Sequence, residues 1–280
     1  MTRGAAAVPL SLLLAAAALV AGVGTVLDPG ILRGPAVMNG SARGTALVMV
    51  VLAVPLLLVA MALARRGSVR AVPIWLGAVA YLAYNAVMLL LGTPFNVLFL
   101  AYDATLGLAV WTAITLLHRV DVGAYADRVT ARVRRRPVAL FLWVVVALNS
   151  LAWLGGIVAG MRSGYPPEFL VGTGLTTLPT YVQDLAFWLP LAAVTGGWLW
   201  SARPWGDLLA PALLVYFALE GVGVAVDQAW GRVADPVSTV VAPQLAPAFV
   251  GLAVACALGA AHLLAHVRSA GTEPDVASSV

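Results

Sequence analysis

Residues 118–137, HRVDVGAYADRVTARVRRRP, form the one long, strongly basic run in an otherwise apolar chain, near the middle of its 280 residues. Four long apolar segments precede this run and four follow it. Arg-rich connections stay on the cytoplasmic side of a membrane, so the run sets which face every other segment meets.

The rest of the composition agrees with a membrane setting. Hydrophobic residues make up 62% of the chain and charged residues 10%, where a soluble domain carries about 25% charged residues. With a mean hydropathy of +0.97, most of the chain must be solvated by lipid. All 16 basic residues are Arg and none is Lys. Their placement in the connections accounts for the positive charge without nucleic acid as a partner. The single Cys256 excludes an intrachain disulfide and a Cys-based metal cage.

A helix needs about 20 apolar residues to cross about 30 Å of hydrocarbon. Segments of that kind occupy 5–27, 45–64, 72–91, 97–117, 138–161, 185–200, 208–226 and 248–266. Each is expected to be helical, because a backbone in lipid has to satisfy its own hydrogen bonds. The first is longer than the apolar core of about 7–15 residues in a signal peptide, which predicts a retained helix. The fold class is therefore all-α, a polytopic membrane helix bundle with eight transmembrane helices. With both termini cytoplasmic, 12 Arg fall inside and 4 outside, which predicts a multi-pass protein of the cell membrane in that orientation. The organisation reads as a first four-span half (1–117), a cytoplasmic basic connector (118–137), a second four-span half (138–268) and a disordered C-terminal tail (269–280).

The connector is expected to be an interfacial helix. Tyr125, Val129 and Val133 recur at four-residue steps on one face, and Arg128, Arg132 and Arg135 lie on another. Such a helix rests on anionic lipid headgroups. The connector also divides a candidate repeat. A shift of 135 residues places Pro55 on Pro190, Tyr81 on Tyr216 and Asn85 on Glu220. Past the longer outer loop at 227–247, a shift of 144 places Gly107-Leu108-Ala109-Val110 on Gly251-Leu252-Ala253-Val254 and His118 on His262. Two four-span halves would run parallel, related by an axis along the membrane normal.

Ionisable groups inside a span are costly, which makes them candidates for function. Asp103 and Glu220 each lie six residues inside the outer end of a segment, Asn85 stands at a similar level, and Asp184 opens the sixth segment. Tyr81, Tyr84 and Asn85 share one helix face, as do Tyr216, Glu220, Gly223 and Asp227. Together they predict an acidic, outward-opening cavity for a proton, a small cation or an amine-bearing solute, with Asp103, Glu220, Asn85, Tyr81, Tyr216 and Asp184 as its ligand-binding residues. The competing reading of the same residues is hydrogen-bonded glue between helices. His118, His262 and His266 are weak candidates for a metal or haem; the last two are four apart on one helix face.

Motifs of soluble catalysis are missing: the sequence holds no GxxxxGK[ST], HExxH or GxSxG. Without Lys it has no Schiff-base chemistry. No cofactor is implied and no catalytic residue stands out, so the reading leans away from an enzyme. Residues 91–117, LGTPFNVLFLAYDATLGLAVWTAITLL, together with ARRGSVRAVPIWLGAVAYLAYN at 64–85 and LPTYVQDLAFWLPL at 178–191, resemble uncharacterised multi-span bacterial integral membrane proteins of high-GC type. That resemblance implies the architecture and transfers no activity. Three functions stay open at this point: a transporter-like protein with a small-molecule or ion ligand, a non-catalytic membrane scaffold or partner subunit, and a membrane-embedded enzyme acting on lipid or haem.

Overall fold

The computed structural model describes residues 6–268, so the tail expected at 269–280 lies outside the described residues. The elements in chain order are α1 (Ala7–Leu27), α2 (Ala36–Arg65), α3 (Ala71–Gly92), α4 (Phe99–Arg119), the short α5 (Val122–Ala126), α6 (Arg135–Arg162), α7 (179–200), α8 (Pro204–Ala234) and α9 (Ala246–Ala265). Among the described residues seven helices are long and apolar enough to cross a membrane: α1, α2, α3, α4, α6, α8 and the helix ending at Ala265. The chain is thus an all-helical membrane protein. The helix α7 packs among the seven but carries Gln183 and Asp184 in its first half.

Burial sorts the helices into a centre and a periphery. In their most apolar windows α3 and α8 are 61% and 56% buried, while α6 and the helix ending at Ala265 are 22% buried. The centre is α8, which packs against α2, α3, α5, α7 and α9. The first four helices form a continuous set, in which α1 touches α2 and α4, and α3 touches α2 and α4. Two buried hydrogen bonds fix α1 in it: Trp75 Nε1 donates to Ser11 Oγ at 3.0 Å, and the Thr25 and Tyr102 hydroxyls pair at 2.7 Å.

Small residues let α2 and α8 approach closely. A Cβ on Gly44 would stand 2.9 Å from the Asp227 Cα, and one on Gly40 would meet the Trp230 carbonyl at 2.6 Å. This explains why the helix extends back to Ala36, nine residues before the apolar segment begins. The polar letters Asn39, Ser41 and Arg43 are held by protein: Asn39 closes the loop before it through the Leu32 and Gly34 carbonyls, and Arg43 donates twice to the Val26 carbonyl.

Two helices share an unusual local course. A π-turn runs over Met49–Ala53 in α2 and another over Asp184–Trp188 in α7, each just ahead of a proline, Pro55 and Pro190. Proline lacks the N–H and its ring crowds the carbonyl four residues back; widening the ladder to a π-turn relieves that crowding. Both helices end in the same way. Arg66 and Ser201 have φ, ψ of −81°, 8° and −88°, 9°, and Gly67 and Ala202 follow at positive φ, 91° and 51°. Ser68 N then donates to the Leu63 carbonyl at 3.0 Å, and Arg203 N to the Trp198 carbonyl at 2.8 Å. Every one of these pairs is separated by 135 residues, the separation of Asn85 and Glu220.

The basic connector departs from the expected continuous interfacial helix. Between α4 and α6 only Val122–Ala126 is helical, capped by the Asp121 carboxylate, which accepts from Ala124 N at 2.9 Å. The chain then forms a turn and a single antiparallel bridge between Val129 and Val267, with Thr130 N donating to the His266 carbonyl and Arg268 N to the Arg128 carbonyl, both at 2.9 Å. The reason lies in its apolar letters. Tyr125 and Val133 are buried, at 3% and 7% exposure, because they plug the end of the bundle instead of facing lipid headgroups, and one straight helix could not bring both inward while pairing with Val267. Arg135 is already in α6, where it joins Asp207 of α8.

Candidate functional site

At the end opposite the basic connector, α3, α7 and α8 bring a set of polar side chains together. Asn85, 3% exposed, donates from Nδ2 to the Tyr81 carbonyl at 3.1 Å and to Glu220 Oε2 at 3.2 Å. This second bond links α3 to α8. Glu220 itself is half-buried, as are Asp184 and Asp227. Asp184 is oriented by Trp153 of α6, whose Nε1 donates to Oδ2 at 2.8 Å. Asp227 accepts from Gln228 Nε2 at 2.7 Å, and Gln228 Oε1 in turn accepts from Ala242 N of the following loop at 2.6 Å.

Aromatic rings fill the space beside Glu220. Trp188 stacks on Tyr216 at 4.6 Å and 27°, and Tyr84 meets both, at 6.1 Å from Trp188 and 5.7 Å from Tyr216. The π-turn places Trp188 there, since it is the last residue of that turn. Tyr81 is wholly buried, and its hydroxyl has no hydrogen-bond partner. It rests against Gly223, where an added Cβ would lie 2.8 Å from the hydroxyl. Aromatic side chains thus pack around the acidic layer, and Glu220 is partly exposed.

Of the residues singled out in the sequence, Tyr81, Asn85, Tyr216, Glu220 and Asp184 are gathered here. Asp103 is not. It is exposed on α4, while its neighbour Tyr102 points inward at 1% exposure and pairs with Thr25. Successive residues on a helix are about 100° apart, so an inward Tyr102 turns Asp103 away from Glu220. Of the histidines, His262 and His266 lie side by side, with ring centroids 4.8 Å apart, and His118 stands apart from them. His118 is exposed, and His266 Nδ1 pairs with the His262 carbonyl at 2.8 Å. Among the described residues no three His, Cys, Asp or Glu side chains form a group that could hold a metal ion.

A second polar cluster, unmarked in the sequence reading, closes the basic end. Arg135 grips Asp207 with both arms of its guanidinium, Nε to Oδ1 at 2.7 Å and Nη2 to Oδ2 at 3.0 Å. The Asp207 side chain is 4% exposed and that of Arg135 19%. Burial and the Asp207 carboxylate hold the Tyr125 hydroxyl well above its usual range, so Tyr125 stays neutral and Arg135 is the charge that Asp207 answers. The legible signal was an acid in the first turn of a helix opened by Pro204. Arg70 adds a link at the same end, its Nε donating to the Val267 carbonyl at 2.7 Å.

No family model matches the chain, and no curated protein or solved structure matches it.

Proposed function

We propose that this chain is an eight-span protein of the cell membrane, with both termini cytoplasmic, which binds a proton or a small cation at Glu220 and Asn85 in the manner of a transporter. In this reading α7 is the eighth span, and its polar first half faces the acidic crevice. The features that recur 135 residues apart support two parallel four-helix halves joined by the basic connector, which would lie over anionic headgroups. Parallel repeats in transporters place their sites near the interface between repeats.

The observation that carries the reading is the Asn85–Glu220 hydrogen bond. It joins equivalent positions of the two halves, and its carboxylate is half-buried instead of sealed. A carboxylate at membrane depth is costly to keep without a use. The mutual contact of Tyr84, Trp188 and Tyr216 favours a proton or bare cation over an amine-bearing solute, because rings already occupy the space a larger ligand needs.

Purified protein reconstituted in liposomes tests this. Proton or monovalent-cation flux, followed with an entrapped pH- or cation-sensitive dye, is expected for the wild type, lost in Glu220→Gln and kept in Asp103→Asn. Wild-type flux in Glu220→Gln, or none in any protein, rejects the proposal.

A further inference from the structure

Resting on the membrane reading above, we propose that the corner where α6, α7 and α8 meet at the basic end binds the phosphate of one anionic phospholipid, held by Arg136 and Arg203 with Trp200 as the platform. Three arginines in a row open α6: Arg134 is its N-cap, Arg135 and Arg136 begin the first turn, and no acid stands with them there. Positive charge at that end opposes the helix dipole, which favours an anion. Asp207 answers Arg135 alone. Arg136 and the N-cap of α8, Arg203, stay exposed, and among the described residues neither pairs with an acid. The two belong to one fixed corner. The Arg135–Asp207 bond ties the start of α6 to the first turn of α8, and Arg203 N donates back to the Trp198 carbonyl at 2.8 Å.

A stack of rings holds Arg136 in place. Its guanidinium carbon lies 5.3 Å from the centroid of the Trp200 ring. Trp200 rests on Trp143, with centroids 5.4 Å apart. Trp143 is fixed in turn, its Nε1 donating to the Ala193 carbonyl at 3.0 Å. Gly196 makes room for that ring, since an added Cβ would stand 2.7 Å from Trp143 Nε1. A guanidinium laid on an indole keeps the N–H groups at its edge free, and their planar fork matches two phosphate oxygens.

A lipid fits these surroundings better than a free anion. Trp200 and Trp205 are 42% and 40% exposed, and exposed indoles of a membrane protein sit at headgroup level. Leu140 and Val144 continue the face of α6 that Arg136 begins, at four-residue steps, and both are exposed. An acyl chain can lie along them while the phosphate meets Arg136. The matching corner of the first half is built differently. Arg65 stands in the last turn of α2, where the dipole favours a cation, and Arg70 is bound to the Val267 carbonyl.

Native mass spectrometry of the full-length protein, released from detergent micelles and titrated with phosphatidylglycerol or phosphatidylcholine, tests the site. The wild type should hold one phosphatidylglycerol in preference to phosphatidylcholine. Arg136→Gln with Arg203→Gln should weaken that first binding by about thirtyfold, from the loss of two arginine contacts of ordinary strength at a charged bilayer surface. Trp200→Leu keeps every charge and should weaken it in the same sense. Arg119→Gln with Arg132→Gln removes two exposed charges from the same end and should leave it unchanged. Equal loss in the two double variants overturns the site in favour of diffuse charge. Wild-type affinity in Arg136→Gln with Arg203→Gln or in Trp200→Leu also overturns it, as does equal affinity for phosphatidylcholine. Displacement of the lipid by millimolar inorganic phosphate overturns the lipid assignment. These readouts do not involve Glu220, so a failure here leaves the transporter reading to the liposome flux, and an absence of flux leaves the lipid site standing.

Discussion

Replacing Asp207 with Asn is expected to destabilise the protein by about 3 kcal/mol. The carboxylate is almost wholly enclosed and is held by two charge-assisted bonds from Arg135. Asn keeps the shape but leaves the guanidinium without its counter-charge. Removing one partner of a buried pair costs about 3–5 kcal/mol. Arg135 keeps some access to water, with 19% of its side chain exposed, which places the loss at the lower end of that range. A loss of about 3 kcal/mol is roughly a hundredfold in the folding equilibrium. Removing both charges together, as Arg135→Met with Asp207→Leu, should recover most of it, since apolar replacement of a buried ion pair is often neutral or better. Reversible unfolding in mixed micelles, followed by Trp fluorescence, compares the three proteins. An Asp207→Asn protein within about 0.5 kcal/mol of wild type, the range of an ordinary surface change, would refute the claim that this pair fastens α6 to α8.

Two further predictions use the same assay. Ala202 sits at φ 51° where Gly67 occupies the equivalent turn, so Ala202→Gly should stabilise by up to about 1 kcal/mol, and Gly67→Ala should destabilise by a similar amount; equal effects of both substitutions would contradict the shared turn. Gly44→Leu should disrupt the α2–α8 contact, where even a methyl group would press on the Asp227 backbone, and should cost at least about 1–3 kcal/mol as overpacking; tolerance of Leu at 44 would mean that the helices are farther apart than described.

The apolar segments were legible because length and hydropathy report directly on the bilayer. The segment at 72–91 became Ala71–Gly92 and that at 138–161 became Arg135–Arg162. The ends were harder wherever the partner was protein instead of lipid. The polar opening of α2 at Ala36 and the early start of α8 at Pro204 are helical because each packs on other elements, which hydropathy cannot register. The acidic level was partly legible: Asn85 and Glu220 do meet. Asp103 shows where that reading stopped, because depth along a helix says nothing of which way the side chain turns, and Tyr102 had the inward position. Connector residues failed for a related reason. Tyr125 and Val133 read as one face of a helix, and both are buried, but through a turn that the spacing alone could not announce.

The claim that matters most is that Glu220 is reached from the side opposite the arginine-rich end. Cysteine scanning in a Cys256→Ala background measures this directly, with a membrane-impermeant thiol reagent applied to intact cells and to inside-out vesicles. The account predicts that Glu220→Cys and Asp184→Cys react from outside the cell, and that a cysteine replacing exposed Arg134, by the basic connector, reacts only in inside-out vesicles. A cysteine at 220 that reacts only from the inside, or from neither side while that at 184 reacts, would contradict it.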